Sequence, residues 1–88
     1  MTPTSDSDEI RRKRLLWRAT HRGIKEMDII FGGFVQRGLT RFTPAELDEL
    51  ERMVALPDQE LLAWATQMAP VPSVHDGPLL RAMLAYRP

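Results

Sequence analysis

Apolar residues recur every three to four positions along this chain, and each recurrence is soon cut by a glycine or a proline. Ile24, Met27, Phe31, Phe34 and Val35 lie at i, i+3, i+7, i+10 and i+11, one stripe of a 3.6-residue period, and they sit between Gly23 and Gly38. Leu47, Leu50, Met53 and Val54 repeat the pattern between Pro44 and Pro57. Leu61, Trp64, Ala65 and Met68 repeat it again, and Leu79, Leu80, Met83 and Leu84 follow Pro78. Strict alternation never persists long enough for a strand. Together with an earlier helical stretch carrying LLWRA, the spacing predicts an all-α fold: a compact bundle of about five short helices with tight turns and no internal repeat.

Local chemistry sets the expected boundaries. Residues 1–6 are small and polar and read as a disordered tail, leaving 7–88 as a single helical domain. Ser5 or Ser7 is placed to cap the first helix, with Asp8 and Glu9 at its positive end. Gly23 is expected to stop that helix in the left-handed conformation. The second helix is expected over Ile24 to Arg37, with Gly32 and Gly33 either kinking it or letting a neighbour approach closely. FTPAEL is the clearest start: Thr43 as N-cap, Pro44 at the first helical position, Glu46 as capping-box partner, and Phe42 and Leu47 as a hydrophobic staple. Asp58 is expected to cap the fourth helix, and Ala69 to Pro78 reads as a connector.

Composition narrows function. With 43% hydrophobic and 27% charged residues, the chain can bury a small core and is not of disordered type. The absence of cysteine removes disulfides and thiolate metal sites. Twelve basic residues balance twelve acidic ones, which argues against a protein built to bind phosphate backbones. The basic run Arg11 to Arg14 reads as a solvated helix face, with a small nucleic-acid-binding helical domain kept as an alternative. No apolar run approaches the roughly 20 residues of a membrane span, and the acidic N-terminus resembles no targeting peptide, so a cytoplasmic, bacterial protein without membrane insertion is expected. The two histidines, His21 and His75, lack partners that suggest a triad or a metal site. The acids Glu46, Asp48, Glu49 and Glu51 read as a solvated face.

The corner THRGIKEMD (Thr20 to Asp28) is open to two readings. As a plain corner, Arg22 complements one helix dipole, Gly23 makes the turn, and Glu26 suits the next helix start and pairs with Arg22. As a docking knuckle, it turns Lys25, Glu26 and Asp28 outward around a glycine that lets another backbone come close. Trp17 and Phe31 are assigned to the core first and to an interface second.

The strings LLWRATHRGIKEMDIIFGGF (Leu15 to Phe34) and FTPAELDELERMVALPDQELLAW (Phe42 to Trp64) resemble the FAD assembly factors of succinate dehydrogenase. The shared features are R-G-x-x-E (Arg22, Gly23, Glu26), the following Asp28, the apolar run into Phe31 and Phe34, the Pro57-Asp58 turn, and Leu61 with Trp64. The likeness covers roughly residues 11–68, and the last helix departs from it. It implies a helical bundle that is not itself an enzyme. Such a protein binds the flavoprotein subunit of succinate dehydrogenase, with the related fumarate reductase as a further candidate client, and promotes covalent attachment of FAD to a histidine of that subunit. It also implies that FAD is the group attached to the partner and not a stably bound cofactor here. The partner-binding residues implied are Arg22, Gly23 and Glu26, with Lys25, Asp28 and His21 on the same surface. A FAD-binding carrier is the alternative, which needs a concave apolar pocket with phosphate donors.

Overall fold

A computed structural model describes the backbone from residue 3 to residue 88 and the side chains from Asp8 onward. Five α-helices follow one another: α1 (Pro3–Thr20), α2 (Lys25–Gly38), α3 (Pro44–Val54), α4 (Asp58–Ala65) and α5 (Pro78–Ala85). No strand occurs among the described residues. α1 starts inside the stretch expected as a tail: residues 1–2 lie outside the described residues, and the backbone is helical from Pro3. A proline is tolerated in a first helical turn, where its missing N–H has no partner to lose.

The stripes read from the sequence form the core. Met27, Phe31 and Val35 of α2 are fully buried, and so are Leu47 and Leu50 of α3, Leu61 of α4 and Leu80 and Met83 of α5. α2 is the central element, packed against α1, α4 and α5. Gly32 allows that packing. A Cβ built there would lie 2.7 Å from Thr20 Cγ2 and 3.3 Å from Thr20 Cα, so it serves close helix approach. α3 begins as expected: Thr43 Oγ1 accepts from Glu46 N and Glu46 Oε1 accepts from Thr43 N.

Two helix ends also differ from expectation. α4 ends at Ala65, so Met68 is not part of its apolar face but is 82% exposed. The termination is a Schellman motif: Gln67 has φ 63°, Gln67 N donates to Trp64 O at 3.2 Å, and Met68 N donates to Ala63 O at 2.8 Å. Glycine normally takes that left-handed position. Gly23, in contrast, has no positive φ; no described glycine does. α1 stops at Thr20, before Gly23.

The acids read as a solvated face are each employed. Asp48 and Glu51 both accept from Arg11 at 2.6 and 2.5 Å, and these contacts hold the Arg11 guanidinium above its ordinary pKa. Glu49 Oε2 accepts from Leu79 N and Leu80 N at 3.1 Å, capping α5 from α3 where Gly77 offers no side chain. Glu46 closes its own helix, as described above.

Two substitutions test this packing. Gln67→Gly should stabilise the fold by about 0.5–1 kcal/mol, since left-handed strain for an L-residue is roughly 1–2 kcal/mol and glycine's entropy offsets part of the gain. Gly32→Ala should destabilise it by about 1–3 kcal/mol through overpacking against Thr20. Urea unfolding of both variants measures the two signs.

Candidate partner-binding corner

Four residues, His21 to Ile24, connect α1 to α2. Ile24 is the N-cap of α2 and has no side chain to offer as a cap. The corner is instead held by groups from farther along the chain. The Arg22 side chain is 8% exposed and points inward. Its Nε donates to Asp58 Oδ1, its Nη1 to Val54 O at 2.7 Å, and its Nη2 to Leu56 O at 2.6 Å. Its Cζ lies 5.2 Å from the centre of the Phe31 ring. A planar fork suits this set because its donors diverge in one plane toward three fixed acceptors. Val54 ends α3, so one of these bonds satisfies a carbonyl that the helix end leaves without a partner, and the bond to Leu56 O holds the turn just beyond it.

Asp58 completes the staple. Its Oδ2 accepts from Gly23 N, while its Oδ1 receives Arg22. The expectation that Asp58 caps α4 is corrected: Pro57 is the N-cap, no side-chain cap is present, and the carboxylate is spent on the corner. On the other side of the turn, Asp28 accepts from Arg22 N through Oδ1.

The residues singled out in the sequence therefore divide in two. Arg22 and Asp28 are not outward contact groups; they fasten the corner from within, and Arg22 pairs with Asp58 rather than with Glu26. His21, Gly23, Lys25 and Glu26 are exposed. Lys25 and Glu26 make no side-chain hydrogen bond or ion pair among the described residues. Gly23 is open to solvent on one side, while a Cβ added to it would meet Asp58 Oδ2 at 3.3 Å on the other.

Trp17, expected in the core first and at an interface second, lies outside the core, 60% exposed, whereas Phe31 is fully buried. The His21 ring stacks on the Trp17 indole with centroids 4.1 Å apart and planes 12° from parallel. His21 Nδ1 is 2.8 Å from Trp17 O, and in the Nδ1–H tautomer it donates there. These contacts order the indole without covering it. Ile10, Arg14 and Trp17 of α1, with His21 just past its end, fall at i, i+4, i+7 and i+11, a ridge opposite buried Leu15 and Ala19. Within the basic run, Arg11 and Arg12 are occupied, Arg12 donating to Asp8, Leu39 O and Phe42 O. Arg14 and Arg18 are exposed and have no ion pair among the described residues.

Sequence reasoning missed Asp58 as a member of this site. Its proximity to a proline suggested a local role, and nothing in local spacing signals a partner 36 residues away.

A family model described as flavinator of succinate dehydrogenase matches residues 13–87. The FAD assembly factor SdhE of Acetobacter pasteurianus is 40% identical over 79 residues, covering 90% of this chain and 72% of that protein. The mitochondrial succinate dehydrogenase assembly factor 2 of Scheffersomyces stipitis is 42% identical over 59 residues, covering 67% of this chain and 40% of that protein. The counterpart from Danio rerio is 31% identical over 74 residues, covering 82% and 47%. The chain thus spans less than half the length of these two mitochondrial relatives.

Removing one member of a buried, hydrogen-bonded ion pair strands the other. Arg22→Ala should therefore destabilise the fold by about 3–5 kcal/mol. Arg22→Lys should recover only part of this, because an ammonium cannot fork to three acceptors. A double-mutant cycle with Asp58→Asn should give a coupling near the upper end of about 0.5–3 kcal/mol. Additive effects would show that the two side chains do not act as one unit.

Proposed function

Because the chain belongs to the family described as flavinator of succinate dehydrogenase, we propose that it binds the flavoprotein subunit of that enzyme through the α1–α2 corner and promotes covalent attachment of FAD there. The observation that carries the proposal is the division of the corner: Arg22, Asp28 and Asp58 are consumed internally, while Gly23 is exposed and the Lys25 and Glu26 side chains have no partner among the described residues. A rigid corner with free polar groups loses little entropy when it docks.

In this reading the chain contributes no reacting group. The bond forms between a histidine nitrogen of the partner and the flavin 8α-methyl carbon. That methyl gives up a proton, the histidine gives up its N–H proton, and the flavin ring keeps the electron pair until it is reoxidised. The factor's contribution is orientation of the partner, which can supply several kcal/mol. FAD is attached to the partner and is not held stably by this chain. The attachment is autocatalytic within the partner, which this chain meets in the cytoplasm. No described helix is long and apolar enough to cross a membrane. Fumarate reductase flavoprotein is a second client of the same surface.

The geometry supports the following roles as part of this reading. Glu26 offers a charge-assisted acceptor to the partner. Gly23 keeps the backbone accessible, with Lys25 and His21 beside it. Trp17, exposed and braced by His21, is the apolar anchor, since aromatic residues dominate binding energy at interface centres. Arg22 and Asp28 act as positioning residues. Substituting Gly23 disturbs Asp58 as well as the outer surface, so Trp17 and Glu26 give the cleaner test.

Deleting the gene should remove covalent flavin from the subunit, read by in-gel fluorescence. Trp17→Ala should leave stability within about 0.5 kcal/mol, as exposed substitutions do. It should weaken flavoprotein binding by about 2 kcal/mol, roughly thirtyfold. Glu26→Gln should keep the fold and lower covalent flavin. Normal flavin in the deletion strain would refute the assignment; full rescue by both variants would move the docking surface elsewhere.

A further inference from the structure

At the far end of α2, about 20 Å along the helix from the corner, a groove of ≈ 420 Å³ opens between α2, α3 and α5. Its walls are aromatic. Phe34 lies 6.0 Å from Phe42 and 6.2 Å from Tyr86, ring centre to ring centre, in tilted and edge-on arrangements. Gly33 and Gly38 leave room for these rings, since a Cβ at either would lie within 2.9 Å of Tyr86 or Phe42. Arg37 and Arg41 flank the opening, and neither has a carboxylate partner among the described residues. The Tyr86 hydroxyl makes no hydrogen bond among the described residues. Arg41 Nη2 donates to Arg37 O at 3.0 Å, and an aromatic trough edged by two guanidinium groups without carboxylate partners among the described residues is complementary to an anionic residue beside a bulky apolar one.

We propose that this groove is a second binding site, for a short peptide segment of a partner protein in which an Asp or Glu lies within one or two residues of a large apolar side chain. The apolar side chain packs on the groove faces of Phe34, Phe42 and Tyr86, and the carboxylate takes a forked bond from Arg37 or Arg41. The volume is at the low end for ligand pockets, which suits one or two side chains rather than a folded surface. A dinucleotide fits poorly. The adjacent start of α3 is closed by its own capping box, which leaves no open helix N-terminus for a pyrophosphate. The site is separate from the corner, so the two surfaces can be occupied at once.

The test is a selection from a random-peptide display library on the full chain, with counter-selection on the double variant Arg37→Glu/Arg41→Glu. Enriched peptides should pair an acid with Phe, Trp, Leu or Met. A synthetic copy should bind the double variant at least tenfold more weakly, and both proteins should show the same thermal transition. In the unaltered protein the same peptide should shift the backbone amide signals of Phe34, Gly38 and Tyr86, a readout that stands even where the double variant folds poorly. No enriched sequence, enriched sequences without an acid, shifts confined to the corner, or FAD competing for the groove would each overturn the proposal.

Discussion

A helix end leaves backbone carbonyls without partners, and a chain of short helices has many such ends. This protein answers that constraint with arginines reaching across the fold. Arg22 takes the carbonyls of Val54 and Leu56 at the end of α3. Arg12 takes those of Leu39 and Phe42 in the turn after α2. Arg87 takes Ala65 O at the end of α4 and Leu84 O in α5. All but the local Arg87–Leu84 bond link segments far apart in sequence, so the arginines act as cross-braces in a domain whose core is small. Carboxylates do the complementary work at helix starts, where Glu49 caps α5 and Glu46 caps α3.

The brace at Arg22 matters most for function because it lies under the proposed docking surface. Buried charge is costly unless paired and hydrogen-bonded, and Arg22 is both. The pairing draws Asp58 against Gly23 and joins the α1–α2 corner to the α3–α4 turn. Outward groups then sit on a support that does not need to form on binding. The R-G-x-x-E pattern thus joins residues of different kinds: an arginine that works inside, a glycine at the boundary, and a glutamate that stays outside.

The fold was largely legible because local chemistry writes it. The FTPAEL start, the stripe of Met27, Phe31 and Val35, and the proline and glycine breaks all act within a few residues of themselves. The site was less legible. An arginine beside a glycine reads the same whether its guanidinium faces water or a carboxylate 36 residues away, and only tertiary packing decides. Trp17 misled for a related reason: a large aromatic suggests the core, yet its helical phase places it opposite Leu15 and Ala19. Met68 continued an apolar spacing past the point where Gln67 turns the chain out of the helix. Glu49 resembled its solvated neighbours until α5 folded against it.

The central claim is that Arg22 braces the corner from inside while its neighbours meet the flavoprotein. Proton–nitrogen correlation spectra of the labelled protein, recorded before and after adding the flavoprotein subunit, test it directly. The account predicts a slowly exchanging Arg22 Nε–H signal that stays in place when the partner binds, while the amides of Gly23, Lys25 and Glu26 shift. An Arg22 Nε–H that exchanges as fast as that of exposed Arg14, or that moves on binding while those amides do not, would contradict it.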